Sequence, residues 1–259
     1  MTGYLRDIWQ LRYFWTALVR NDLRNRYRRS IIGIGWSLLH PIAMTVVLCM
    51  VFKQLYHQNL REYAPYVLSG LTYWGFISAV VMQGCQCFFQ GEHYIQQQPA
   101  PLAIYPLRTT LGAGFHFVLG LGVAIALVWC FMGFGNLPAL VYLVPTLALL
   151  FVVGWSLAAC TGLSNVLFQD SQHLFEVLMQ ILFYLTPIFW HVDSMPPRFR
   201  QVAMLNPFAV LLDLVRKPLL EGQCPSWSSV LFGAAIGAVT VVAASLALKR
   251  FEKRIVFYL

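Results

Sequence analysis

What this sequence has least of is charge. Of its 259 residues only 11% are Asp, Glu, Lys or Arg, while 59% are hydrophobic; a soluble domain carries ~25% charged residues. A soluble fold of this size has no core large enough to hide that apolar load. The scarcity is also patterned. Ser30–Phe52, Tyr63–Gly91, Thr109–Gln169 and Gly222–Leu248 contain no charged residue at all. A helix crosses a bilayer with ~20 apolar residues, so the third run has room for about three crossings. Soluble, disordered, fibrous and nucleic-acid-binding classes are excluded, and the chain reads as an all-α polytopic membrane protein.

Acid is scarcer still: 10 Asp and Glu stand against 18 Lys and Arg, a net charge of +8. Seven of the cations precede Gly33 and four follow Leu248. That clustering is the positive-inside pattern of a membrane protein, with contacts to anionic membrane lipids as a by-product, and no nucleic-acid partner is expected. With the N-terminus in the cytoplasm, the inside segments hold 12 cations and the outside segments six. Both termini are therefore expected in the cytoplasm.

Catalytic signatures are missing too. No Gly-Lys dipeptide occurs, so there is no G-x-x-x-x-G-K-[ST] phosphate loop, and H-E-x-x-H and G-x-S-x-G are absent. Five of the six cysteines sit in apolar runs, where a thiol acts as a small hydrophobe. Cys85 and Cys87 form a lone C-x-C without a second pair or nearby histidine, so no metal site is expected. The chain moves something, or scaffolds something that does; it is not expected to be an enzyme.

The organisation reads as one transmembrane domain over 1–259. Residues 1–34 form a cytoplasmic interface segment, 35–190 hold five spans, 191–228 form an outward-facing segment, 229–248 a sixth span and 249–259 a cytoplasmic tail. The spans are placed at about Gly35–Phe52 (interrupted early by Pro41), Pro65–Phe89, Pro106–Phe131, Ala139–Val166, Leu174–Trp190 and Ser229–Leu248. Before them, Tyr4, Ile8, Leu11, Trp15, Leu18 and Val19 share one helical face over Tyr4–Val19. That stripe suits an amphipathic helix lying in the membrane interface, or one packed on the rest of the chain. The segment between spans five and six carries Pro196, Pro197, Asn206 and Pro207. It is too short for two crossings and too apolar for a plain loop, which predicts two short re-entrant helices.

Two side-chain groups stand out within this frame. His173, Glu176, Gln180, Tyr184, Pro187 and His191 recur at steps of three or four along span five. Polar groups at membrane depth are costly against lipid, so they face a water-filled path, or else the terminal ones are solvated and Gln180 and Tyr184 join two helices. Arg24, Arg26, Arg28 and Arg29 precede span one, to set topology alone or also to hold an anionic headgroup or pyrophosphate. Gly233-x-x-x-Gly237 lets two helices approach closely, within one subunit or between two.

Asp22-Leu-Arg-Asn-Arg-Tyr-Arg-Arg-Ser30, Gly33-Ile-Gly-Trp-Ser37 and Pro41, followed by Asp170, Thr186-Pro-Ile188 and Asn206-Pro207, resemble the membrane subunits of ABC-2-type polysaccharide exporters. These subunits serve O-antigen, capsule and teichoic-acid export. The resemblance covers nearly the whole chain. It implies a homodimer in the bacterial inner membrane joined to two copies of a separate ABC ATPase, which would hold the ATP and Mg. It also implies a coupling loop at Gly91–Tyr105, with Glu92, His93, Tyr94, Gln96, Gln97, Gln98 and Pro101 offered to that ATPase. A channel between spans one and five would be lined by Trp36, His40, Glu176, Gln180, Phe183 and Tyr184, and the proline-broken segment would form outward gate helices. Departures occur at Gln96-Gln97-Gln98, where relatives often carry basic residues, and at Gln169, where they have Arg. The expected cargo is a lipid-linked polysaccharide; an ABC-2 exporter of a drug or lipid, and a secondary transporter without an ATPase, are the alternatives.

Overall fold

The computed structural model describes residues 2–28, 30–56, 59–97, 100–192, 196, 200, 205–252, 255 and 258, with the side chains of 2–5 and 54–56 outside that set. Among the described residues every regular element is helical. In chain order these are α1 (Thr2–Gln10), α2 (Arg12–Tyr27), α3 (Gly35–Tyr56), α4 (Leu60–Cys85), α5 (Glu92–Gln97), α6 (Ile104–Met132), α7 (Leu143–Leu167), α8 (Ser171–Leu185), α9 (Pro207–Arg216) and α10 (Trp227–Phe251). Among the described residues five helical stretches are long and apolar enough to cross a membrane: Gly35–Lys53, Leu60–Cys85, Ile104–Met132, Leu137–Leu167 and Trp227–Phe251.

α4 is the central helix. Its residues Val67, Tyr73, Ile77 and Val80 are fully buried, and it packs between α6 and α7, with α3 along its flank. Small residues bring α4 and α7 together: a methyl group added at Gly84 would lie 2.7 Å from the Ala158 backbone, and one at Gly162 would lie 2.8 Å from the Gly84 carbonyl. At that separation the side chains of α7 reach carbonyls at the end of α4. Asn165 Nδ2 donates at 2.9 Å to Cys85 O, an acceptor that a helix end otherwise leaves open, and Thr161 Oγ1 donates to Val81 O at 3.2 Å. Cys85 and Cys87 lie inside this packing as free, buried thiols.

A second apolar cluster joins Phe88, Leu102, Tyr105, Val166, Leu248 and Ile255, with Ile8, Ile95 and Phe251 against it. Because Ile8 and Phe251 share it, α1 and the end of α10 lie at one end of the bundle, together with α5.

Several sequence expectations change here. The interface helix, expected over Tyr4–Val19, is two helices bent at Leu11, and the second runs on to Tyr27, so that it includes Arg24 and Arg26. Pro41 does not interrupt α3, which continues through it, with Thr45 Oγ1 donating to the Pro41 carbonyl at 2.7 Å. Gly233 and Gly237 are buried within the chain, where an added methyl would meet Leu149 of α7 at 3.1 and 2.8 Å. That stripe therefore packs α10 on α7.

The largest difference concerns span five, placed at Leu174–Trp190. α8 begins earlier and stops at Leu185, and Thr186 is extended (φ −91°, ψ 135°). Pro187 supplies the reason, since it lacks an N–H and drives the residue before it out of the helical region. At 1.5 Å per residue α8 is about 22 Å long, short of a ~30 Å hydrocarbon core.

Candidate functional site

The end of α8 is where the chain's physical constraints are tightest. From Thr186 to Trp190 the backbone is irregular, and its carbonyls have lost their helical donors. Away from water such groups need replacement partners. Side chains from α4 and α9 supply them. Tyr63 Oη donates to Phe189 O at 2.7 Å, and Tyr66 Oη reaches Trp190 O at 2.8 Å and Pro187 O at 3.2 Å. Arg216, the last residue of α9, donates to Pro187 O at 2.5 Å, Ile188 O at 2.7 Å and Tyr66 O at 3.0 Å, with its guanidinium 3.6 Å from the Tyr66 ring centroid. Arg216 is only 7% exposed, and among the described residues no carboxylate hydrogen-bonds to it. Its charge is met by carbonyl dipoles and an aromatic face. Gly70 makes room, since a methyl there would lie 2.5 Å from Arg216 Nη2 and 2.7 Å from Ile188 O.

Asn206 completes the junction. Its Nδ2 donates to Thr186 Oγ1 at 2.9 Å while its Oδ1 caps α9 by accepting from Phe208 N at 2.9 Å. Thr186-Pro-Ile188 and Asn206-Pro207, twenty residues apart in sequence, are thus two halves of one contact. Pro207 occupies the first turn of α9, where a missing N–H costs nothing. Pro196 is exposed; Pro197 lies outside the described residues.

The channel residues divide into two groups. Trp36 and His40 of α3 are exposed on the single chain and, with Phe183, border a cavity of about 490 Å³ among α3, α4, α6 and α8. Phe183 is half-buried against Trp74, ring centroids 5.9 Å apart. Glu176, Gln180 and Tyr184 do not line that cavity. They occupy the outward side of α8, Tyr184 being 60% exposed, while Phe175, Met179 and Leu182 pack inward. Leu178 and Leu185 are exposed as well, so α8 carries a polar strip beside an apolar one, and both stay exposed among the described residues.

At the opposite end, Glu92, His93, Tyr94, Gln96 and Gln97 form α5, pinned by Ile95 on the second cluster. His93, Tyr94, Gln96 and Gln97 are exposed, and Gln96 Nε2 donates to Glu92 Oε1 at 3.0 Å. Pro101 is half-buried in the turn leading into α6, and Gln98 lies outside the described residues. Phe14 of α2 meets Tyr94 edge-on at 5.4 Å, joining the N-terminal helix to α5. Arg24, Arg26 and Arg28 are exposed; Arg29 lies outside the described residues.

Three further contacts escaped the sequence reading. Asp22 of α2 holds Arg108 of α6 in a two-pronged pair, both contacts at 2.5 Å. Tyr27 Oη bonds both Ser37 Oγ and His116 Nδ1, tying α2, α3 and α6 together. Arg216 is one of the six cations that the charge count assigns to the outside segments, and its spacing of four from Leu212 and seven from Ala209 puts it on the buried side of an apolar helix.

Residues 13–220 match the ABC-2 type transporter family. The chain belongs to that family. This ABC-2 subunit is 26% identical over 257 residues to an O-antigen export system permease protein RfbA of Myxococcus xanthus, covering 95% of each chain. It is 24% identical over 250 residues to a Klebsiella pneumoniae protein of the same name, covering 94% of this chain and 92% of that one. A polysialic acid transport protein KpsM of Escherichia coli is 20% identical over 228 residues, 87% of this ABC-2 subunit and 88% of KpsM.

Proposed function

We propose that this chain is the channel-forming subunit of an ATP-driven exporter that moves a lipid-linked polysaccharide across the bacterial inner membrane, as a homodimer with two copies of a separate ABC ATPase. The observation that carries this reading is the match, nearly from end to end, to permease proteins named for O-antigen export and polysialic acid transport. ATP and Mg belong to the partner, since this sequence has no phosphate loop. α8 and the extended Thr186–Trp190 stretch together make the fifth of six crossings, with α9 as a short outward gate helix returning on itself. The end bearing α1, the end of α10 and α5 faces the cytoplasm, where the exposed side of α5 docks on the ATPase.

The channel lies between two copies. The outward side of α8 and the exposed side of α3 are uncovered among the described residues of one chain, and a second copy facing them encloses Trp36, His40, Glu176, Gln180 and Tyr184. A polysaccharide needs this mixture: hydroxyls require donors and acceptors, and the flat CH faces of sugars require apolar rings. An aromatic contact of ~0.5–1.5 kcal/mol guides such a chain without trapping it. Tyr184→Ala, Trp36→Ala and Gln180→Leu are each expected to lower surface polysaccharide about two- to tenfold, in line with a contact of that size, while dimer and ATPase assembly persist. Leu178→Ala and Leu185→Ala, on the apolar strip, should export normally. Normal export by the first three would remove the channel assignment; normal assembly with a cargo other than polysaccharide would favour the smaller-cargo exporter.

Orientation has its own test. In a chain whose other cysteines are replaced by alanine, exposed Cys224 should react with a membrane-impermeant maleimide added outside. An Asp170→Cys variant should react only after the membrane is permeabilised. The reverse pattern would invert the topology.

A further inference from the structure

Two depressions on the bundle's outer surface run into each other along α2. One, of about 700 Å³, lies between α2, α6 and α7 and is walled by apolar side chains, Trp15 and Val19 facing Val118, Leu147 and Phe151. The other, of about 720 Å³, is bordered by Arg20, Arg24 and Arg28 with Tyr27. Arg20, Leu23 and Phe115 line both, so the apolar groove opens directly beneath a cationic rim.

The rim is available for a ligand. Arg20 and Arg24 follow at a step of four on one side of α2, and Arg28, the extended residue just past its end, borders the same depression. Among the described residues none of the three pairs with a carboxylate, and Asp22, the one acid in α2, is held by Arg108. The groove is open as well: a methyl group added at Gly114, on its wall, would meet no heavy atom within 4 Å.

We propose that this groove is a resident lipid site, holding one anionic phospholipid of the surrounding bilayer. Its phosphate sits on Arg20, Arg24 and Arg28, and one acyl chain lies between α2, α6 and α7. Charge complementarity selects the headgroup and the apolar walls select the chain. Phe76 and Phe117, stacked at 5.1 Å, separate the groove from the cavity bordered by Trp36 and His40. An occupant therefore has no direct way into the channel, which assigns the site to a bilayer lipid rather than to transported cargo. The lipid would brace α2, the helix that presents Phe14 to Tyr94 of α5. The inference uses the membrane placement of the proposed function but not its cargo.

The test is native mass spectrometry of the full chain in detergent, titrated with dioleoyl phosphatidylglycerol and, separately, dioleoyl phosphatidylcholine. Phosphatidylglycerol should be retained in preference. Each of Arg20→Gln and Arg24→Gln should reduce its retention about fivefold, the effect of one basic residue at an anionic surface, and leave phosphatidylcholine unchanged. Gly114→Leu, a substitution favourable to the helix, should reduce retention of both lipids by filling the groove. Equal retention of the two lipids by the unsubstituted chain, or phosphatidylglycerol retention that survives the glutamine variants or Gly114→Leu, would overturn the site. Displacement of bound phosphatidylglycerol by a polyprenyl-linked saccharide would overturn its assignment to a resident lipid. No ATPase enters the titration and the saccharide enters only the displacement arm, so a wrong cargo leaves the retention result intact, and loss of lipid retention leaves the export reading intact.

Discussion

Arg216→Met is expected to cause the largest loss of stability of any single substitution at the α8–α9 junction. Methionine matches the length of the stem but removes every donor, leaving the Ile188 carbonyl without its Arg216 partner and Pro187 with Tyr66 alone. A buried acceptor without a donor costs ~1–3 kcal/mol, so the loss should be about 2–5 kcal/mol. It should appear as a much lower thermal midpoint in detergent and poor recovery from membranes. Arg216→Lys should fall between, because an ammonium has the charge but not the planar fork that reaches three carbonyls at once. Gly70→Ala separates this contact from general helix effects. On propensity alone alanine in mid-helix stabilises by ~0.5–1 kcal/mol. At Gly70 it should destabilise, because its methyl falls 2.5 Å from Arg216 Nη2 and 2.7 Å from the Ile188 carbonyl. A Gly70→Ala chain as stable as the original would mean that Arg216 does not hold the break closed against α4.

Asp22→Arg is expected to release α2 from the bundle. It replaces a two-pronged ion pair with two cations facing each other, and Arg108, whose side chain is only 13% exposed, has no alternative partner among the described residues. Asp22 is 40% exposed, so solvent screens the pair and the loss should be moderate, about 1–3 kcal/mol. The decisive measurement is the exchanged pair. Asp22→Arg with Arg108→Asp should recover most of the stability that either reversal loses alone, and Trp15, whose indole N–H donates to Ile8 O at 3.1 Å, offers a fluorescence report on α2. Additive losses in the exchanged chain would show that the two residues act independently.

Much of this protein was legible in its sequence because a bilayer imposes coarse rules. Long charge-free runs have one economical solution in lipid, and the helical stretches at Gly35–Lys53, Leu60–Cys85, Ile104–Met132, Leu137–Leu167 and Trp227–Phe251 fall where those runs lie. Periodicity also placed Glu176, Gln180 and Tyr184 together on one side of α8, as the helix presents them, and Gly91–Tyr105 contained the short helix α5. What stayed hidden were contacts between elements. Nothing local to Asp22 names Arg108 as its partner, and nothing near Thr186 names Asn206; each pair forms only because packed helices bring distant positions within 3 Å. The same holds for Arg216, which the charge count assigns to an outside segment. Pro187 unwinds the chain after Leu185, but only the tertiary structure sets the bared carbonyls against α4 and Arg216 and so creates the place where a buried guanidinium is favourable. Local sequence therefore determined where helices run and which sides are apolar, because those follow from neighbours three and four residues away. Tertiary packing decided which polar groups are paired and which stay exposed, because that depends on what each helix meets.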